Sequence, residues 1–306
     1  MSALRNLPAS VKARLETLAG KRGEEFNLLL TRYGIERLLY RLSQSQHADK
    51  FLLKGAMLFA IWDIKTHRPT QDLDLLGFGP TEKEELARVF REVLQTPVPA
   101  DGLVFDPDSV RAEEIREDNA YGGIRVRLIG RLGKAKVPIQ IDVGAGDMVT
   151  PAPESSVFPA LLDFPAPHIR SYSVYTVVAE KFEAMVKLGI TNSRMKDFYD
   201  LWFLSRRFDF DGPTLRQAIH ATFARRQTSL TMTPYPLTEA FSEDVAKQTQ
   251  WTGFLRRNRL SGPPPDFAGL MAQLRQFLNP TLWSGKPASR WIPASGWESY
   301  PDSQSG

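Results

Sequence analysis

Residues 67–78 read HRPTQDLDLLGF, and the alternation inside this stretch sets the fold class. Leu73 and Leu75 alternate with Asp72 and Asp74. A period of two predicts a strand with one apolar face and one face that carries both acids. Two carboxylates side by side repel each other unless a cation lies between them, and a divalent ion is the usual one. Mg2+ takes oxygen ligands and commonly uses one or two carboxylates together with substrate phosphates. The plainer reading of Asp72 and Asp74 is a solvated strand face.

On the N-terminal side, FLLKGAMLFAIW (51–62) predicts a short extended run, a turn at Gly55 and a helix from Ala56 to Trp62, then a loop over 63–69. A glycine turn that opens a helix presents backbone N–H groups to an anion, and Lys54 beside it is a candidate phosphate contact. An ordinary loop lysine and a glycine kept for backbone shape is the alternative. Two helices precede this segment. One spans residues 9–20, with Ser10 as cap and Gly20 as stop, and one runs through EEFNLLLTRYGIERLLYRLSQS.

On the C-terminal side, TEKEELARVFREVLQ is an amphipathic helix in which Thr81 and Glu84 form a possible capping box. GIRVRLIG and VPIQIDVGAGD alternate as two strands of an antiparallel pair, with a turn at Gly130–Lys134. Asp142 has the same phase on its strand as Asp72 and Asp74 on theirs. If the two strands are neighbours, three carboxylates converge on one sheet face, enough for two divalent ions ~4 Å apart. The alternative is an edge-strand acid ahead of a glycine turn, and Asp147 reads as a turn residue.

From residue 174 the pattern turns helical. YTVVAEKFEAMVKLG and NSRMKDFYDLWFLSRRF are amphipathic, and helix continues to about residue 278, broken by GPPPD at 262–266. Lys181 lies at the edge of the first apolar stripe and Lys187 opposite it. Asp197 and Asp200 project from the second helix on the side away from Met195, Phe198, Tyr199 and Trp202. Arg194 is either a phosphate contact or solvated. The tail from Asn279 is rich in Pro, Gly and Ser yet holds Trp283, Trp291 and Trp297. The chain thus divides into a mixed α/β domain over 1–170, a helical domain over 171–278 and a tail over 279–306.

With 306 residues, 42% hydrophobic and 24% charged, the chain has the composition of a globular protein of about two domains. No apolar run reaches the ~18 residues of a membrane span, and no apolar signal core opens the sequence, which predicts a cytoplasmic protein. The absence of cysteine excludes disulfides and thiolate metal sites. His47, His67, His168 and His220 have no metal-ligand spacing. The net charge of +4 permits a nucleic-acid partner without requiring one. Basic residues cluster at Arg125, Arg127, Arg131, Lys134 and Lys136, at Arg256, Arg257 and Arg259, and at Arg206, Arg207, Arg225 and Arg226. Each cluster is either a track for phosphates or a solvated face.

Taken together, LKGAMLFAIW…HRPTQDLDL, IQIDVGAGD, AEKFEAMVKLG and NSRMKDFYDLW resemble the AbiEii/AbiGii toxin family, which includes the mycobacterial MenT toxins and belongs to the DNA polymerase β-like nucleotidyltransferase superfamily. The resemblance spans residues 10–210. It implies a polymerase β-like fold with a small mixed sheet, followed by a helical domain that completes the active site. By resemblance Gly55 takes the helix-opening glycine position, Asp72 and Asp74 the metal-binding pair and Asp142 the third acid. Ala56 departs from the usual Ser or Gly and removes one phosphate contact. Lys181 matches the family lysine and would neutralise phosphate charge, as against a snorkelling side chain. Asp197 matches an active-site acid, with Asp200 and Arg194 beside it. For these the alternatives are acids in the first turn of a helix and an i,i+4 pair of Lys196 with Asp200.

The resemblance further implies Mg2+ or Mn2+ as cofactor, an NTP as substrate, the acceptor end of tRNA as partner, and a winged-helix AbiEi-like antitoxin, in a type IV system linked to abortive infection. Two other functions remain: the same fold modifying a protein or a small molecule, and a module that binds GTP or RNA without transfer.

Overall fold

The structure is a computed structural model that describes residues 6–62, 70–115, 123–258, 260, 264–282 and 289–300. The expected loop at 63–69 with His67, and also Arg259, Trp283 and the last six residues, lie outside the described residues. The chain forms two compact units, one of Met1–Gly146 with Glu154–Ser171, the other of Asp147–Pro153 with Tyr172–Gly306. In place of a single boundary near 170, the chain enters the second unit at Asp147, returns at Glu154 and leaves again at Tyr172.

The first unit contains helices α1 (Leu7–Arg22), α2 (Phe26–Gln44), α3 (Leu58–Ile61) and α4 (Lys83–Leu94) and strands β1 (Phe51–Lys54), β2 (Asp72–Gly77), β3 (Leu103–Ile115), β4 (Gly123–Leu132), β5 (Ala135–Ala145), β6 (Glu154–Val157) and β7 (His168–Ser171). The strands make one mixed sheet in the order β3-β4-β5-β2-β1-β7-β6. Strands β5 and β2 run parallel, as do β1 and β7, and the other pairs are antiparallel. Helices α1, α2 and α4 pack on the sheet. Leu73, Leu75, Val126, Ile139, Ile141 and Val143 are buried. Gly34 lets α2 come close to β5: a Cβ there would lie 2.8 Å from a methyl of Val137.

Local details differ from the sequence reading. Helix α1 is capped by Asn6, whose side chain accepts from the Ala9 N–H, and it ends at Gly23 in the left-handed region (φ 64°). Ser10 and Gly20 lie inside it. Glu82 caps α4 without a side-chain hydrogen bond, so Thr81 and Glu84 form no capping box there. The β4–β5 turn is Gly133–Lys134, with Leu132 paired to Ala135, because both strands run on past Gly130.

The second unit holds α5 (Val174–Leu188), α6 (Met195–Ser205), α7 (Gly212–Arg225), α8 (Glu239–Glu243), α9 (Val245–Asn258) and α10 (Phe267–Leu282), with strands β8 (Phe210–Asp211), β9 (Ser289–Ile292) and β10 (Gly296–Ser299) in the order β10-β9-β8. The tail is therefore not a separate segment over its described part. Trp291 is buried and donates to the Ser205 carbonyl at 2.6 Å, and the Trp297 indole donates to the Phe277 carbonyl. Burying the Trp291 ring and covering part of the Trp297 ring offsets the ordering cost of a stretch rich in small residues.

Candidate active site

On the first unit, strand register builds the site. Asp74 stands beside Asp142 in the parallel β2–β5 pair and across from Lys54 in the antiparallel β2–β1 pair. Asp142 stands across from Arg125, and Arg125 across from Glu113. Register partners share a face, so one row reads Glu113, Arg125, Asp142, Asp74, Lys54. The row beside it reads Arg111, Arg127, Gln140, Asp72. The face opposite Leu73 and Ile141 is thus lined with charge, as the alternation of HRPTQDLDLLGF predicts. Asp72 is exposed and Asp74 half-buried.

Gly55 fixes the position of Asp74. It adopts φ 70° at the head of a short helical segment, where a Cβ would lie 2.0 Å from Asp74 Oδ2. The glycine is required twice, for its backbone angle and for the carboxylate packed against it. The helical segment it opens is one 3-10 turn, Gly55–Met57, followed by the four residues of α3. The Gln140 amide donates to Asp72 Oδ1 at 3.2 Å.

Asp142 lies where the sequence phase puts it, next to Asp74, and its carboxylate is engaged. Arg125 Nε and Nη2 donate to its two oxygens, each at 2.8 Å. Both side chains are about three-quarters covered, with 28% and 22% exposed. Among the described residues no group of three or more His, Cys, Asp or Glu is arranged to hold a metal ion. Arg127 is ion-paired with Glu113. Arg125 and Arg127 therefore share a face, as expected, and each meets an acid there.

The second unit brings together the other four predicted residues. Lys181 on α5 lies 2.9 Å from Asp197 Oδ1 and 2.7 Å from Asp200 Oδ2, both on α6. Arg194 Nε sits 2.7 Å from Asp197 Oδ2. Asp197 and Asp200 are buried, so their side of α6 packs against α5 and does not face solvent. Burial alone would push the Asp197 carboxyl up; Lys181 and Arg194 overcome that and hold it below the usual carboxylate range. Asp200 pairs with Lys181, and Lys196 is exposed.

Two further charged residues organise this unit: Lys247, which carried no sequence signal, and Arg226, which the sequence placed in a basic cluster. Lys247 on α9 is buried, and its Nζ donates to the Asn192 carbonyl at 2.6 Å. Asn192 Oδ1 in turn accepts from the Arg194 N–H at 2.8 Å, so α9 holds the turn that presents Arg194. Arg226 is enclosed by Asp147, Glu180 and Glu183, at 2.9, 3.3 and 2.9 Å. It is a core ion-pair hub and leaves the basic cluster to which its sequence position assigned it.

The model of the nucleotidyl transferase AbiEii toxin family, of type IV toxin–antitoxin systems, matches residues 37–273. The chain belongs to this family. The match includes every residue of both clusters, from Lys54 to Lys247. Membership makes the chain a nucleotidyltransferase by family and the toxin of a type IV pair, with a nucleotide as substrate and an antitoxin as counterpart. Among solved structures, JHP933 from Helicobacter pylori is 15% identical with a TM-score of 0.45, covering 80% of this chain and 89% of that one. A second H. pylori protein, named as a nucleotidyltransferase, is 15% identical with a TM-score of 0.43, over 80% of this chain and 92% of the other. A search of curated protein sequences gives no match. Among the described residues no helix is long and apolar enough to cross a membrane.

Proposed function

We propose that this chain transfers a nucleoside monophosphate from an NTP to the 3′ end of tRNA, in the cytoplasm, so that the tRNA no longer accepts an amino acid and translation stops. The observation that carries the reading is the pair Asp72 and Asp74 on the charged face of the sheet, inside the region that matches the family. An oxygen-only donor pair with no thiolate suits a hard divalent cation. Asp72 and Asp74 would hold Mg2+ or Mn2+, which when bound supplies positive charge to the triphosphate and lowers the pKa of an attacking hydroxyl. Gly55 fixes Asp74, and Gln140 orients Asp72. Lys54 contacts phosphate next to them, with the Gly55–Ala56 backbone. Within the second unit, Asp197 and Asp200 fix Lys181 and Arg194, the cations to which the family resemblance gives a phosphate-binding role.

In the transfer, a ribose hydroxyl oxygen of the acceptor forms a bond to the α-phosphorus. The bond from that phosphorus to the β-bridging oxygen breaks, pyrophosphate leaves and the hydroxyl proton is released to solvent. The antitoxin counterpart is proposed to be a winged-helix protein encoded alongside. The test is incubation of the purified protein with α-labelled NTPs, total RNA and a protein extract. Label in RNA of tRNA length is the expected result. Label in protein, or tight NTP binding without transfer, would replace the tRNA reading with one of its two rivals.

A further inference from the structure

The sheet carries three acids at the phase of a two-ion site, and Asp142 is engaged at both oxygens by an arginine. Both oxygens of Asp142 accept from Arg125, in the fork geometry that makes arginine–carboxylate pairs strong. Arg125 is itself held in place by register, between Asp142 on β5 and Glu113 on β3. On the other side of the row Lys54 stands across from Asp74. The adjacent pair Asp142 and Asp74 is therefore flanked by a protein cation at each end.

We infer that Arg125 occupies the place of a second metal ion, and that the charged face takes one divalent cation, on Asp72 and Asp74. A second divalent ion bridging Asp74 and Asp142 would have to displace the guanidinium from both Asp142 oxygens and lie against its full positive charge, since arginine does not deprotonate. Asp142 then serves as the anchor for Arg125, and Arg125 supplies Asp142 with the neutralising charge that a second ion would otherwise bring, at any metal concentration. This rests on the metal role given above to Asp72 and Asp74.

The full-length protein is titrated with Mn2+ and free ion is followed by its electron paramagnetic resonance signal. The titration is done alone and again with one equivalent of an α,β-methylene analogue of each of the four NTPs in turn. One ion per chain is expected in all series. Asp142→Asn should keep one ion with affinity within about threefold, and Asp72→Asn should weaken binding at least about tenfold. Arg125→Met, which releases Asp142, should gain a second ion. Circular dichroism melts show that each variant is folded. Two ions in the wild type, or equal losses in Asp142→Asn and Asp72→Asn, would overturn the inference and leave the metal role of Asp72 and Asp74 standing. So would an Arg125→Met variant that stays at one ion. No bound ion in any series would remove both.

Discussion

Gly55 is the residue on which the acidic pair depends most directly. Its φ of 70° and the 2.0 Å between a built Cβ and Asp74 Oδ2 mean that any side chain there meets both backbone strain and a carboxylate. Gly55→Ala is expected to lose at least about 1 kcal/mol of stability from the left-handed backbone alone. It should also lose nucleotidyl transfer because Asp74 moves. Urea unfolding beside a transfer assay checks both, and a stable, fully active variant would contradict the packing. Glu36 gives a second residue-scale outcome. It is fully buried on α2, paired with Arg37 at 2.6 Å, and it accepts from the Leu161 N–H at 2.7 Å. Burial pushes its carboxyl up to about 7 against the pull of Arg37. The folded state then holds a proton that the unfolded chain releases near 4.5. This contribution is full below about pH 4.5 and is lost as pH rises towards 7, a change of about 3 kcal/mol at 1.36 kcal/mol per unit. Glu36→Gln should flatten the dependence of stability on pH across that window, measured by denaturant unfolding. An unchanged slope would assign the proton elsewhere. The roles of these residues were unequally legible. Asp72 and Asp74 announce their face by alternation with leucines. Glu36 and Arg37 look like solvated helix charges, because what buries them is a loop more than a hundred positions away in sequence.

At the scale of elements, α5 and α6 are joined by the buried contacts of Lys181 with Asp197 and Asp200. Removing Lys181 leaves two buried carboxylates without their shared cation, which costs about 3–5 kcal/mol. Lys181→Ala should therefore lower both stability and activity, whereas Lys187→Ala, at an exposed position on the same helix, should change stability by less than about 0.5 kcal/mol and retain activity. Thermal melts of the two variants separate the outcomes, and equal shifts would contradict the pairing. The helical phase of Lys181 was readable; its two partners were only half so, because the apolar stripe of α6 suggested that its acids faced water. Strand β3 escaped the sequence reading because LVFDPDSVRAEEI is an edge strand with Pro107 and two acids at a break in register between Asp106 and Arg111. The β9–β10 hairpin escaped it because small residues and prolines set the composition of the tail. Two tryptophans set its packing. The ownership of Asp142 by Arg125 was hidden for a different reason: alternation gives the phase of a side chain, but only cross-strand register gives its partner.

At the scale of the whole molecule, the excess of four positive charges is smaller in effect than the count of arginines suggests. Arg125, Arg127 and Arg226 are held by acids of their own unit. Arg131, Lys134 and Lys136 are exposed at the β4–β5 end and are the residues of that hairpin left for an RNA backbone. If they contact phosphates, RNA affinity should fall with salt in proportion to the contacts made. Charge reversal of all three should weaken RNA binding and reduce that slope without changing NTP binding. Filter binding at two salt concentrations checks this, and an unchanged slope would mark the hairpin as solvated. The central claim, that the Asp72–Asp74 face drives nucleotidyl transfer to tRNA, is tested most directly by mass. Purified tRNA incubated with the protein, the four NTPs and Mn2+ is digested and its 3′-terminal fragment measured by mass spectrometry. The account predicts a gain of one or more nucleoside monophosphates with the wild-type protein and none with Asp72→Asn or Asp74→Asn. An unchanged 3′ end with the wild type, or the same gain with the two variants, would contradict it.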